Sequence, residues 1–242
     1  MTQLPDPWLT ILIMAGGSLN NKQIGPLPSL NTNPADLADG SGLARGRIYQ
    51  HFHRIDGVKQ CLLSDQSSTP IRPHLCDSSL EKLLIEPQSD VIGSLKQALP
   101  KIDTPWLMLQ PITTLPTLKV ERFCSIELGE QAIPRENWSA VGGPGTNKPR
   151  FLSKDQSVHA YEKPSHPFTG VICAPTELIE KLLPTAGSDL LILAKRLWQT
   201  GKARFRMTPW KDLGHRATYN YSRLSRLNSR SFNKVSYDHQ AD

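Results

Sequence analysis

A short apolar run near the start of the chain, LTILIMA at residues 9–15, limits the folds that the chain can adopt. The run is continuous and ends directly at Gly16 and Gly17, which is typical of a strand that is buried on both faces of a parallel sheet. It lacks the basic lead of a signal peptide, and it is much shorter than the roughly 20 apolar residues of a membrane helix. We therefore expect the first strand of an α/β sheet and no membrane span.

Helical patterns alternate with strand patterns after this run. Ile48, Phe52 and Ile55 have the spacing of one helix face, so we expect a helix over residues 44–55. Further helices, each with a candidate N-cap residue, are expected at 77–86 (Asp77), 90–99 (Asp90), 176–184 (Thr176) and 188–202 (Ser188). Further strands are expected at 58–64, 105–116, 121–128 and 168–175.

This alternation predicts an α/β fold, a three-layer sandwich with a mostly parallel central sheet, formed by a single domain over residues 1–242. The longest stretch without a period, residues 18–42, directly follows the first strand and is rich in Asn, Pro, Ser and Gly. Loops of this length in compact domains are often functional. Ligands of such sheets bind at the carboxyl ends of the strands, so we expect the ligand site at that edge.

The cysteines and histidines show no metal or disulfide pattern. His51 and His53 are two residues apart on a predicted helix and do not share a face, which argues against a metal pair. The four cysteines are far apart and include no C-x-x-C pair, which suggests neither a zinc site nor a disulfide framework: Cys61, Cys76, Cys124 and Cys173. We expect a reduced, cytoplasmic protein.

The formal net charge of +6 is concentrated near the C-terminus. Residues 202–234 contain nine Lys or Arg and a single acid, Asp212. Cations at helical spacing predict a basic amphipathic helix at about 215–235, whose charges either are solvated or bind a polyanion or phosphate. The segment has no nucleic-acid motif and no interleaved exposed aromatic residues, so nucleic-acid binding is not favoured.

Three stretches, in this order, resemble the sugar-1-phosphate nucleotidyltransferases, the pyrophosphorylases that make nucleotide sugars for cell-surface polysaccharides. ILIMAGG (11–17) is similar to the opening strand and glycine turn of that family. YEKPSHPFTGVICAP (161–175) is similar to its Glu-Lys-Pro and the Thr-Gly strand that follows. LAKRLWQTGKARFRMTPWKDLGHRATY (193–219) contains Trp-x-Asp-x-Gly and resembles a branch associated with capsule or lipopolysaccharide gene products.

The resemblance implies a nucleotide-diphospho-sugar transferase fold of Rossmann-like type. It also implies a nucleotidyltransferase-like protein that binds a nucleotide and a sugar phosphate in surface-polysaccharide biosynthesis, and it is compatible with a homo-oligomer. By motif position it implies a nucleotide site at Ala15, Gly16, Gly17 and Lys22, a sugar-phosphate site at Glu162, Lys163, Thr169 and Gly170, and a Mg²⁺ ligand at Asp212.

The chain departs from the family where the family chemistry uses charge. The loop after Gly17 has no Arg, and Gly25-Pro26 stands where the family has Pro-Lys. The first metal-binding Asp of the family is replaced by a segment that contains Pro111, Thr113 and Thr114. Because such groups neutralise phosphate charge during the transfer, we assign no catalytic residue. The alternative is a catalytically inactive relative that binds a nucleotide sugar and acts as a regulatory or scaffold protein.

Three of the implied roles also have a simpler interpretation that the residues leave open. Lys22 could be a solvated loop residue, Glu162 and Lys163 a surface turn, and Asp212 a turn residue that caps a helix.

Overall fold

The computed structural model describes residues 7–15, 34–39, 42–65, 71, 73, 78–116, 125–129, 168–208 and 210–213 of the 242-residue chain. The strands in these ranges are β1 (Leu9–Met14), β2 (Ala38–Asp39), β3 (Gly42–Leu43), β4 (Val58–Asp65), β5 (Glu81–Ile85), β6 (Trp106–Pro111), β7 (Thr114–Pro116), β8 (Ser125–Gly129), β9 (Phe168–Pro175), β10 (Arg204–Thr208) and β11 (Trp210–Asp212). The α helices are α1 (Ala44–Phe52), α2 (Val91–Ala98), α3 (Thr176–Leu182) and α4 (Leu190–Gln199), and short 3-10 turns lie at Pro34–Asp36, Leu99–Lys101 and Leu183–Thr185.

Seven of these strands form one sheet in the order β10-β8-β9-β6-β1-β4-β5. β1 lies between β6 and β4 and is parallel to both. β5 is parallel to β4 and β10 is parallel to β8, whereas β9 is antiparallel to its neighbours β6 and β8. All strands of the sheet except β9 therefore run in the same direction, which confirms the prediction of a mostly parallel sheet.

Helices cover both faces of this sheet. α2, α3 and α4 pack on one face through residues such as Leu95, Ile179 and Leu193, and α1 packs on the other through Ile48 and Phe52. Successive residues of a strand point to opposite faces. β1 is apolar except for the buried Thr10, and it supplies both cores, with Leu12 and Met14 in one and Leu9, Ile11 and Ile13 in the other. The predicted three-layer arrangement is confirmed.

The predicted helix over residues 77–86 is wrong, because Glu81–Ile85 form the edge strand β5. Leu83 and Ile85 are buried, whereas Leu84 between them is 47% exposed. This period of two follows from pairing with β4, and pairing with a distant strand overrides a local apolar spacing that looks helical. Asp77, the predicted cap, lies outside the described residues.

Of the other predicted N-caps, one is confirmed and two are wrong. The Asp90 side chain accepts a hydrogen bond from a backbone N–H in the first turn of α2 at 2.8 Å. In α4 the cap is Asp189 and not Ser188, since the Asp189 carboxylate accepts the bond from the first turn at 2.9 Å. α3 has Pro175 at its N-cap without a side-chain bond, and the Thr176 hydroxyl donates elsewhere.

Of three further predictions, one can be compared in part and two cannot be compared. Most of the 18–42 loop and the whole predicted basic helix at about 215–235 lie outside the described residues, and the single-domain boundary stays a prediction. Where the loop is described, it contains a 3-10 turn and the small hairpin of β2 and β3. In the described part of the chain, no helix is long and apolar enough to cross a membrane.

Candidate functional site

The carboxyl ends of β1 and β6 lie level with each other at one edge of the sheet. Met14, the last residue of β1, is in register with Pro111, the last residue of β6. Ala15 continues the pairing with β4, because its N–H donates to the carbonyl oxygen of Leu63 at 2.8 Å. Ligands of open α/β sheets bind at this edge, and the predicted glycine turn follows Ala15 directly in the chain.

The turn at residues 110–114, where β6 ends and β7 begins, lies beside Asp212 at the same ends of the strands. The carbonyl oxygen of Thr113 accepts a hydrogen bond from the Leu213 N–H at 2.6 Å. β7 and β11 form an antiparallel pair in which Thr114 is opposite Asp212. The main chain of the residue that we predict to bind Mg²⁺ therefore lies beside this turn.

The start of β9 also lies here, since β9 runs antiparallel to β6. The Thr114 hydroxyl donates to the carbonyl oxygen of Thr169 at 2.8 Å. The Thr169 hydroxyl accepts from the Val171 N–H at 3.2 Å. Both threonines are buried; the Thr114 hydroxyl connects the turn to β9, and the Thr169 hydroxyl is bonded within β9.

Gly170 adopts a backbone conformation that favours glycine, with a φ of +83°. A Cβ at this position would lie 2.7 Å from Cγ of Pro111, so the proline ring fills the space that a side chain would need. Packing against Pro111 therefore explains why a glycine is needed at this position. This explanation is independent of the role that the resemblance implies, in which Gly170 lets the sugar approach the strand.

Gln110 is a fully buried polar residue that the sequence analysis did not single out. Its amide nitrogen donates to the carbonyl oxygens of Thr114 at 2.8 Å and Pro111 at 3.1 Å. These two acceptors fix the orientation of the amide, because an amide oxygen cannot bond to a carbonyl oxygen. Oε1 of Gln110 is buried and has no hydrogen-bond partner among the described residues. A single Gln in the apolar run WLMLQP was the available signal.

The structure brings together four of the nine predicted site residues around the turn at 110–114: Ala15, Thr169, Gly170 and the main chain of Asp212. The other five lie outside the described residues: Gly16, Gly17, Lys22, Glu162 and Lys163. The binding roles of all nine stay predictions.

Carboxylates are sparse among the described residues around this turn. Residues 106–116 contain none, and the Thr114 hydroxyl is engaged by Thr169. Asp103 precedes β6 and contacts Lys59 at 3.5 Å, at the opposite edge of the sheet. Across the described ranges, no group of three or more His, Cys, Asp or Glu residues is placed to hold a metal. If Asp212 binds Mg²⁺, the other ligands would therefore be water and phosphate oxygens, a coordination that Mg²⁺ accepts.

A buried ion pair fixes the chain where it returns from the 18–42 loop. Arg45, in the first turn of α1, is fully buried and contacts the Asp36 carboxylate at 2.8 Å as well as the carbonyl oxygen of Ala35. A buried charge is costly unless it is paired and hydrogen-bonded, so the contact holds the start of α1 against this segment. The sequence does not reveal this pair, because the two residues are nine positions apart.

No protein-family model matches the sequence, and no curated protein is similar to it. Solved structures do match. A Bacillus anthracis protein assigned as a glucose-1-phosphate thymidylyltransferase, in complex with sucrose, has a TM-score of 0.67 and 11% identity, over 90% of this chain and 94% of that one. The inositol-1-phosphate CTP transferase of T. maritima has a TM-score of 0.61 and 14% identity, over 88% and 91%.

A UTP-bound UGPase from Acinetobacter baumannii is similar over 96% of this chain and 100% of its own, with a TM-score of 0.65 and 12% identity. At such identities the similarity concerns the fold and assigns no residue role. The resemblance that the three sequence stretches predict is confirmed as a structural match. The chain has the fold of the sugar-1-phosphate nucleotidyltransferases over about 90% of its length.

Proposed function

We propose that the chain binds a nucleotide and a sugar phosphate at the carboxyl edge of the sheet, as a nucleotidyltransferase-like protein of surface-polysaccharide biosynthesis. The main support is the convergence of Ala15, Thr169, Gly170 and Asp212 on the turn at 110–114. A UGPase with bound UTP and a UDP-glucose pyrophosphorylase with bound UDP-glucose are among the structures of similar fold, which is consistent with ligands of this class.

Five of the nine predicted residues have a defined task in this proposal. The backbone N–H groups of Gly16 and Gly17 bind the nucleotide phosphates, a contact that needs no cationic side chain. Glu162 holds sugar hydroxyls and Lys163 the sugar phosphate. Asp212 holds Mg²⁺, which when bound neutralises phosphate charge. The chain itself brings the two anionic ligands together and fixes their relative orientation.

A second candidate function is that of an inactive relative that binds a nucleotide sugar and acts as a regulatory or scaffold protein. The observation that favours it is the internal bonding of the turn at 110–114. The Gln110 amide bonds to backbone carbonyls, the Thr114 hydroxyl bonds to Thr169, and the Pro111 ring packs against Gly170. Apart from Oε1 of Gln110, these groups are therefore engaged by the protein itself.

We accordingly expect pyrophosphorylase turnover to be absent or slower by several orders of magnitude than the roughly 10 s⁻¹ of an ordinary enzyme. The loss of one charge-stabilising group costs about 10²-fold or more, and three are replaced here: the loop Arg, the loop Lys and the first metal-binding Asp. Release of pyrophosphate from a panel of nucleoside triphosphates and sugar 1-phosphates measures this. Ordinary turnover with any pair would exclude the inactive relative.

The substitution Asp212→Asn tests the binding proposal. We expect it to abolish Mg²⁺-dependent binding of UTP or UDP-glucose, measured by calorimetric titration, and to leave the melting temperature without ligand unchanged. The matched control is Asp103→Asn, whose carboxylate is 69% exposed and pairs with Lys59 at the opposite edge, so binding should be unaffected. If Asp212 only caps a turn, stability falls by about 0.5–2 kcal/mol and binding persists, which removes Asp212 from the site.

A further inference from the structure

A cavity of about 310 Å³ lies beside the amino-terminal end of β4, where the strands begin, whereas the candidate site lies where β1 and β6 end. Val58 at the start of β4 is in register with Leu9 at the start of β1, whereas the candidate site begins after the end of β1. β5 pairs only with Cys61–Asp65 of β4. No described strand therefore flanks Lys59 and Gln60 on this side, and the stagger between the two strands leaves the cavity.

Gln60 lines this cavity and is 6% exposed. Its amide nitrogen donates to the carbonyl oxygen of Tyr49 in α1 at 3.2 Å, which fixes the orientation of the amide. The amide oxygen is buried and has no hydrogen-bond partner in the described part of the chain. Buried acceptors are rarely left unpaired, because the loss of their water is then uncompensated. Gln60 thus contributes to the cavity lining a side chain whose buried amide oxygen lacks a donor among the described residues.

The charges around the cavity nearly cancel. The Lys59 ammonium contacts the Glu81 carboxylate at 2.8 Å and Asp103 at 3.5 Å. The hydrogen bond to Glu81 raises the pKa of Lys59, although burial opposes the rise, so the ammonium stays charged. Lys59 and Glu81 both line the cavity, so an anionic ligand would meet the Glu81 carboxylate and a cationic ligand would meet the ammonium. The charge pattern favours a neutral ligand.

The remaining lining side chains offer both donors and acceptors. Ser79 contributes a hydroxyl, and Tyr49 and His53 contribute two rings stacked on each other with their centroids 5.6 Å apart. Nδ1 of His53 lies 2.8 Å from the Gln50 carbonyl oxygen. A carbonyl oxygen only accepts, so Nδ1 is the donor in this contact. A ligand that matches this wall must both donate and accept, as hydroxyl groups do.

We propose that this cavity binds a neutral polyhydroxyl ligand of monosaccharide size, with one ligand hydroxyl donating to Oε1 of Gln60. The other hydroxyls exchange hydrogen bonds with Lys59, Ser79 and Glu81. The volume is at the lower end of the range for small-molecule pockets, which suits a single sugar ring. This site is separate from the proposed nucleotide site, and either can exist without the other.

The test follows backbone amide chemical shifts while D-glucose is added to the full-length protein, with glycine and inorganic phosphate as comparison probes. We expect glucose to shift the amides of Gln60 and Ser79, and glycine and phosphate to leave them unchanged. Gln60→Met should weaken glucose binding about tenfold. The matched control is Gln110→Met, because Gln110 is the other described residue with a buried unpartnered amide oxygen, and it should leave this binding unchanged.

Ser79→Tyr provides a second variant in case Gln60→Met does not fold. Ser79 is exposed, so the larger side chain can be accommodated at the surface while it fills the cavity, and we expect loss of the glucose response. The proposal is overturned if glucose shifts no amide around the cavity. It is equally overturned if phosphate binds there instead, or if Gln110→Met removes the glucose response and Gln60→Met does not.

Discussion

Substitution of Gly170 by alanine should destabilise the protein strongly, since two separate costs apply at this position. The φ of +83° is unfavourable for a residue with a Cβ, at about 1–2 kcal/mol. The new methyl group would also lie 2.7 Å from the Pro111 ring, and overpacking of this kind costs about 1–3 kcal/mol. Together we expect a loss of about 2–5 kcal/mol in the free energy of unfolding, measured by urea denaturation.

A double-mutant cycle with Pro111→Ala separates these two costs. Removal of the ring should relieve the overpacking in Gly170→Ala and leave the backbone cost, so the two substitutions should couple by about 1–3 kcal/mol. Gly93→Ala in α2 is the control. Its Cβ would lie 3.0 Å from Oε1 and 3.3 Å from Cβ of Gln88, with no positive φ to add a backbone cost, and alanine favours the helix by about 0.5–1 kcal/mol. Strict additivity of the pair, or an unchanged stability for Gly170→Ala, would refute the packing described for this turn.

Three other substitutions or modifications check separate parts of the fold. Asp90→Ala should lower the free energy of unfolding by about 1 kcal/mol, because it removes the cap of α2. The control Ser89→Ala loses only an exposed contact to Asp90 and should have little effect in the same denaturation assay. Arg45→Met should cost about 3–5 kcal/mol, because it removes the cation from the buried Asp36 carboxylate, and a loss below 1 kcal/mol would contradict the buried pair. Burial raises the pKa of the Cys61 thiol to about 12, so the reactive thiolate is scarce at pH 8. Mass spectrometry should therefore find iodoacetamide on Cys61 only after unfolding. Rapid labelling of Cys61 in the native protein would contradict this.

The features that the sequence predicts correctly depend on local patterns. β1 is apolar on both faces apart from Thr10, and this pattern identifies a buried parallel strand before any partner strand is known. Asp90 lies directly before a helical pattern, and its cap bond is made within the same turn. The fold class follows from the order of such elements, and it is confirmed.

The errors arise where contacts between distant parts of the chain determine the local structure. Leu80, Leu83 and Leu84 have helical spacing, yet pairing with β4 makes Glu81–Ile85 an edge strand. Ser188 and Asp189 are both good caps, and the sequence gives no reason to prefer the second.

The candidate site divides in the same way. The motif residues Thr169, Gly170 and Asp212 can be located from the sequence, and the structure places their main chains around one turn. The bonds that close this turn could not be predicted, because Thr114 and Thr169 are 55 positions apart. The buried, unpartnered amide oxygens of Gln60 and Gln110 likewise depend on what surrounds each side chain in three dimensions.

The most direct test of a nucleotide site at the carboxyl edge is to follow backbone amide chemical shifts during a titration with UTP, with and without Mg²⁺. We expect saturable shifts at Ala15, Thr114, Thr169 and Gly170, which surround the end of β1 and the turn after β6. The amides at the start of β4, on the opposite edge, should not move. Absence of shifts around the turn at 110–114 across UTP, the other nucleoside triphosphates and UDP-glucose would contradict the proposed function.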